Sequence, residues 1–138
     1  MFRKYVQIVI VILGVGIDIQ NIQEISQEIE ENGNSYLEKI LTPREVEYCK
    51  GSDNFIHRIA GRTAAKEAVV KALSTGFTED IDWLDFEVLN EPSGQPMLFV
   101  CNNAKTLIDK LQITKIWISI SHSGEYAVAQ VILEKQTN

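Results

Sequence analysis

Three groups of polar residues interrupt otherwise apolar stretches of this chain: Asp18 within Val15-Gly16-Ile17-Asp18-Ile19, Glu67 with Lys71 within Ala60–Gly76, and Ser119-Ile120-Ser121-His122-Ser123. Two carboxylates from separate elements, with room between them for water and substrate oxygens, suit Mg²⁺, which keeps several waters and prefers phosphate oxygens to an all-protein cage. A lysine one helical turn from one of those carboxylates would neutralise charge on a transferring or leaving phosphate. A histidine at a strand end would donate to an oxygen of the same substrate. On the residues alone, the reading stops at a candidate for Mg²⁺-dependent phosphate chemistry, and periodicity does not identify the reaction.

Each group also has a plainer reading. Asp18 is equally suited to cap the helix that follows Ile19. Glu67 and Lys71 are spaced as a solvated i,i+4 ion pair. His122 can be a turn residue, and Ser119 and Ser121 the solvent side of a strand. The three together, on separate elements, favour a site.

The elements that must position these groups are legible from the pattern. Val6 to Ile19 reads as a β-branched, buried strand, with Val15, Ile17 and Ile19 pointing one way and Gly16 and Asp18 the other. Ile22, Ile25 and Ile29 keep helical spacing from Asn21 to Glu31, and Asn32-Gly33-Asn34 ends that helix before a short turn over Tyr36–Leu41. Thr42-Pro43-Arg44-Glu45 is a capping box with proline at the first position, starting a helix to Cys49 or Lys50. The long helix runs from Phe55, capped by Asp53 or Asn54, to Leu73 or Ser74, with Gly76 beyond its end. Thr63, Glu67, Lys71 and Ser74 share one of its faces, Arg62 and Lys66 lie beside it, and Ala65, Ala68, Val69 and Ala72 are free to pack. Leu84, Phe86 and Val88 alternate, Glu91-Pro92-Ser93-Gly94 turns, and Pro96–Val100 returns as a hairpin. Asn102 or Asn103 caps a helix with Ala104, Leu107, Ile108 and Leu111 inward, and strands follow over Ile116–Ser121 and Tyr126–Leu133. This order predicts one α+β domain over 1–138, an antiparallel sheet packed against the long helix, with 1–13 extending the first strand.

The whole chain bounds the partners. With 138 residues, 19 acids against 13 bases and a net charge of −6, it lacks the basic footprint of a general nucleic-acid binder. Cys49 and Cys101 have no metal-ligand spacing and read as free thiols of a reducing compartment. The apolar run Val6–Leu13 is far too short to span a membrane, and no small-residue cleavage site follows it. A cytoplasmic protein, bound to neither membrane nor nucleic acid, is expected.

Val15-Gly16-Ile17-Asp18-Ile19, with Glu67 in Ala64-Ala65-Lys66-Glu67-Ala68-Val69-Val70-Lys71 placed 49 residues after Asp18, resembles the two-part signature of phosphopantetheinyl transferases. The blocks FIHRIAGRTAAKEAVVKALSTG, DFEVLNEPSGQPML and ISISHSGEYAVAQVI are similar to the short holo-[acyl-carrier-protein] synthase branch of that superfamily, in order, from Gly14 to Glu134. The resemblance implies Mg²⁺-dependent transfer of 4′-phosphopantetheine from coenzyme A to a serine of an apo acyl carrier protein, releasing adenosine 3′,5′-bisphosphate, in support of fatty acid or polyketide synthesis. It implies Asp18 and Glu67 as metal ligands and Asp18, Glu67, Lys71 and His122 as catalytic residues. It places coenzyme A contacts on Arg62, Lys66, Lys71, His122 and Ser123, and a homotrimer with sites between subunits. The chain departs from the family in two places. Thr63 stands where an aromatic is usual, and the first helix carries Glu24, Glu28, Glu30 and Glu31 where family members commonly carry cations for an acidic carrier. Those departures leave open a non-catalytic binder of coenzyme A or carrier, and the residues alone leave open an Mg-dependent phosphotransferase for another small substrate.

Overall fold

The computed structural model describes residues 4–78 and 80–137. Strand β1 (Val9–Asn21) leads into α1 (Ile22–Ile40), α2 (Pro43–Lys50) and α3 (Phe55–Ala72); β2 (Phe86–Asn90) and β3 (Pro96–Val100) follow, then α4 (Asn102–Lys110), β4 (Ile113–Ser123) and β5 (Tyr126–Thr137). The outer strands β1 and β4 both pair antiparallel with β5 between them, and β2–β3 is a separate antiparallel hairpin. The α+β architecture expected from the sequence is the one observed. No helix among the described residues is long and apolar enough to cross a membrane.

α3 is the spine. Its residues from Ile59 to Ala72 are buried apart from Glu67 and Lys71, which explains why so many are alanine: small side chains let neighbours close in from several sides. One core joins Val69 and Ala68 to Ala129, Val131 and Leu133 of β5, Phe86 and Val88 of β2, and Ile108 of α4. A second core joins Ile59 and Ala60 to Ile22, Ile25, Leu37 and Ile40 of α1 and Cys49 of α2.

Several sequence expectations hold in detail and others shift by a physical cause. Thr42 and Glu45 form the reciprocal capping box, with proline first in α2. Asn21, not Asp18, caps α1, its side chain accepting from the Gln23 and Glu24 amides at 2.9 and 3.3 Å. α1 kinks at Gly33 (φ 54°, ψ −131°) rather than ending there, so the helical turn over Tyr36–Leu41 joins it. Leu84 lies in a 3₁₀ turn ahead of β2, closed by Asp85 Oδ2 accepting from the Asp82 amide at 3.1 Å. Cys101 rather than an asparagine precedes α4, because Asn102 takes φ 55° and donates its side chain to Asp85 Oδ1 at 3.2 Å. Asn54 sits at the cap position of α3 without a side-chain bond.

The expectation of a buried first strand is corrected. Val9–Ile12 pair with Glu134–Thr137, lengthening β5 beyond Leu133, yet Ile8 to Leu13 are all exposed. The predicted alternation in β1 is present: Gly16 and Asp18 face α3, while Val15, Ile17 and Ile19 are 55, 60 and 59% exposed on the other side. Residues 1–3 of the expected N-terminal extension lie outside the described residues.

Candidate functional site

Gly16 sets the approach of β1 to α3. A Cβ built there would fall 1.9 Å from the Ala68 carbonyl oxygen, so only glycine admits the helix this close. Two residues on, Asp18 therefore meets the Glu67–Lys71 face. Lys71 Nζ donates to Asp18 Oδ1 at 2.7 Å and to the Ile17 carbonyl at 3.1 Å, while Gln20 Nε2 donates to Asp18 Oδ2 at 2.6 Å. Burial first, and the Asp18 charge second, push the Glu67 carboxyl above its ordinary range, with Lys71 opposing. Two carboxylates near enough to oppose each other's ionisation are an oxygen donor pair with unsatisfied demand for positive charge. No cluster of three or more potential ligand side chains occurs among the described residues. Carboxylate oxygens, with no thiolate or imidazole beside them among the described residues, are donors of the kind a hard divalent cation takes together with water and phosphate oxygens.

Glu67 opens into a cleft of about 580 Å³ between α1 and α3, whose walls include Gln20, Glu24, Glu28, Tyr36, Thr63 and Trp83. Thr63 itself is buried and donates to the Ile59 carbonyl at 2.9 Å; Tyr36 brings an aromatic ring into the same cleft from α1. The acidic face of α1 noted in the sequence thus borders Glu67 directly.

His122 and Arg62 are brought together elsewhere, on the β4 side of α3. His122 Nε2 donates to the His57 carbonyl at 2.8 Å, which makes Nε2 the protonated nitrogen. Gly61 makes room for this ring: a Cβ there would lie 3.0 Å from His122 Nε2. Arg62 Nη2 donates to Asn90 Oδ1 at 2.7 Å, and Arg62 Nε is buried without a hydrogen-bond partner among the described residues. Both side chains line a cavity of about 390 Å³. Ser123 is exposed where β4 ends opposite Tyr126 and does not line it. Asp18 and His122 stand on the two outer strands with β5 between them, and neither of these two clefts is lined by both Glu67 and His122.

Lys66, expected as a coenzyme A contact, is not at a surface. Its Nζ is fully buried, donating to Glu45 Oε1 at 2.6 Å and to the Ile40 carbonyl at 2.7 Å. Glu45 Oε2 also accepts from the Val88 amide at 2.9 Å, so one buried ion pair ties α1, α2, α3 and β2 together. Glu45 was the residue sequence reasoning missed in this role, because its spacing from Thr42 fully explained it as a cap. Burial pushes the Lys66 ammonium down, and Glu45 holds it up. Lys66→Met should cost about 3–5 kcal/mol in urea unfolding, because Glu45 would be left charged and buried. Adding Glu45→Leu should recover part of the loss, and a single-variant change below about 1 kcal/mol would show that the pair carries no such strain.

A family model described as the 4′-phosphopantetheinyl transferase superfamily matches residues 14–131. The holo-[acyl-carrier-protein] synthase of Koribacter versatilis is 43% identical over 123 residues, covering 89% of this chain and 98% of the relative. The crystal structure of holo-[acyl-carrier-protein] synthase from Neisseria meningitidis superposes with a TM-score of 0.85 at 26% identity, covering 91% of this chain and all of that one. The Helicobacter pylori holo-[acyl-carrier-protein] synthase, solved in complex with coenzyme A, superposes with a TM-score of 0.77 at 32% identity, covering 86% of this chain and 98% of that one.

Proposed function

Since this chain belongs to the 4′-phosphopantetheinyl transferase superfamily and is a holo-[acyl-carrier-protein] synthase type of transferase, we propose that its 1–138 sequence is one such domain that uses Mg²⁺ at Asp18 and Glu67 to transfer 4′-phosphopantetheine from coenzyme A to a carrier serine in the cytoplasm. The observation that carries the site assignment is the Gly16 contact, which sets Asp18 against Lys71, the residue one helical turn from Glu67.

Glu67, as the carboxylate, accepts the proton of the serine hydroxyl. The serine oxygen bonds to the β-phosphorus of coenzyme A as the bridging P–O bond breaks, and adenosine 3′,5′-bisphosphate leaves. Lys71 exchanges its contact with Asp18 for a phosphate oxygen and neutralises the charge that develops on the leaving group. Asp18, held by Gln20, keeps its place as Lys71 moves. Asp18 and Glu67 would hold Mg²⁺, which when bound would supply charge neutralisation to the diphosphate. Arg62 and His122 hold the nucleotide end, with Ser123 exposed beside them.

The exposed outer face of the sheet supports a homotrimer. Val15, Ile17 and Ile19 of β1 and Trp117 of β4 form an apolar surface that a second copy would cover. The division of the site residues between two clefts fits an arrangement in which the Glu67 cleft of one subunit meets the Arg62 cavity of another. The product carrier would serve fatty acid or polyketide synthesis. Glu24, Glu28 and Glu31 on the Glu67 cleft favour a carrier less acidic than usual, since like charges across an interface weaken docking.

The direct test incubates the protein with coenzyme A, Mg²⁺ and apo carriers of graded acidity, and weighs the carriers by mass spectrometry. A phosphopantetheine adduct that requires Mg²⁺ is expected. Coenzyme A binding without an adduct on any carrier would replace the transferase reading with a binding role.

A further inference from the structure

The cavity on the β4 side of α3 has a lining without a single carboxylate. Two guanidiniums enter it, from Arg58 and Arg62, one helical turn apart on α3. Like charges at that spacing repel, and here both are held against one aromatic ring. The Arg58 guanidinium carbon lies 4.3 Å and that of Arg62 4.2 Å from the centre of one ring, Tyr48 of α2. Arg58 Nη1 also donates to the Tyr48 carbonyl at 2.8 Å, and Arg62 Nη2 to Asn90 Oδ1 at 2.7 Å. The negative face of an aromatic ring offsets part of the repulsion between two cations and limits the rotamers of both. Arg62 is 3% exposed, and its Nε still lacks a partner. A buried cationic donor in a cavity free of carboxylates is one that an anion would complete. The neighbouring Cys49 is the fully buried core residue of α2, whereas Tyr48 is half-buried and lines the cavity.

We infer that Tyr48 is a positioning residue, whose ring holds Arg58 and Arg62 as a paired clamp for a phosphate monoester, the 3′-phosphate of coenzyme A. This rests on the reading of the chain as a user of coenzyme A. The diphosphate of that substrate would have its own partners in Lys71 and in a metal held by Asp18 and Glu67. The terminal monoester is a dianion with no metal to balance it, and two guanidinium forks match its charge and its three free oxygens. Tyr48 touches neither phosphate nor reacting atoms; it acts through the two arginines.

Binding and turnover test this separately. Calorimetric titration with adenosine 3′,5′-bisphosphate and with adenosine 5′-monophosphate reads the clamp without any carrier. Tyr48→Leu should weaken the bisphosphate about tenfold and leave the monophosphate within about twofold. Tyr48→Phe, which keeps the ring, should restore the bisphosphate affinity, and Arg58→Gln should repeat the leucine effect. In the transfer assay Tyr48→Leu should raise KM for coenzyme A by the same factor with kcat unchanged, and leave KM for 3′-dephospho-coenzyme A unaltered. Equal losses for both nucleotides, a failure of phenylalanine to restore affinity, or an unsubstituted protein that binds the two nucleotides alike would each overturn the clamp. Failure of the unsubstituted protein to modify any carrier would overturn the transferase reading instead, and the nucleotide titrations would still decide the role of Tyr48.

Discussion

Glu67→Ala and Asp18→Ala are each expected to lower kcat/KM for carrier modification by about a thousand-fold or more, with the circular dichroism spectrum unchanged. The magnitude follows from what is removed. Loss of one preorganised electrostatic contact in an active site costs about 10²–10³ in rate; each carboxylate here would hold the metal as well, and Glu67 would also take the proton. The folds of the variants are expected to survive because neither residue is part of a core: Glu67 borders an open cleft, and among the described residues the Asp18 side chain hydrogen-bonds to Lys71 and Gln20. Variants retaining more than about a tenth of the activity would remove these residues from the metal site.

Glu67 also permits a test that needs no turnover. Burial and Asp18 raise its carboxyl above the ordinary range in the folded chain without metal. A group whose folded pKa is raised leaves the folded state binding more protons than the unfolded one, so stability falls as pH rises through the folded pKa. Glu67→Gln cannot ionise and escapes that loss. Without Mg²⁺, it should therefore melt with the unsubstituted protein at acid pH and above it at neutral pH. Added Mg²⁺ should raise the melting temperature of the unsubstituted protein alone. Identical pH profiles for the two proteins would show that Glu67 is not held against Asp18.

Most of the site's parts were visible in the sequence, because its signals were local or periodic. An acid inside a β-branched strand is conspicuous, and Glu67 and Lys71 are tied to one face by the helical repeat. What was not visible depended on contacts between distant segments. Lys66 lies next to Glu67 in sequence, and nothing local distinguishes a cation that meets substrate from one that is buried; its partner Glu45 comes 21 residues earlier and had a sufficient role as a cap. For β1 the alternation was legible, but not which side the helix would take. Helix contact requires the smallest residues, so Gly16 faces in and Val15, Ile17 and Ile19 face out. Tyr48 gave no signal at all, since a ring shared by two arginines exists only once α2 packs on α3.

Gly16→Ala is expected to destabilise the fold by about 3 kcal/mol or more, the upper end of what overpacking a core costs. The added methyl would lie 1.9 Å from the Ala68 carbonyl oxygen and 2.8 Å from the Ala72 amide nitrogen. Both are main-chain atoms of a buried helix, so no side-chain rotation relieves the overlap; α3 must move away from β1. That movement opens the core between α3 and β5, where Ala68 and Val69 meet Ala129 and Val131. Native domains hold only about 5–15 kcal/mol in total, so the melting temperature should fall by roughly 10 °C or more. Gly14 is the control: its added methyl would lie 2.2 Å from the Ala72 carbonyl, at the last residue of α3. A terminal turn can fray where a helix interior cannot, so Gly14→Ala should cost less. Activity separates this loss from simple unfolding. The distance across the Gly16 contact is what places Asp18 beside Lys71 and near Glu67, so Gly16→Ala should lose transfer well below its own melting temperature, while Gly14→Ala keeps it. A Gly16→Ala protein that melts within about 2 °C of the unsubstituted chain and transfers at full rate would mean that β1 and α3 stand further apart than this contact requires.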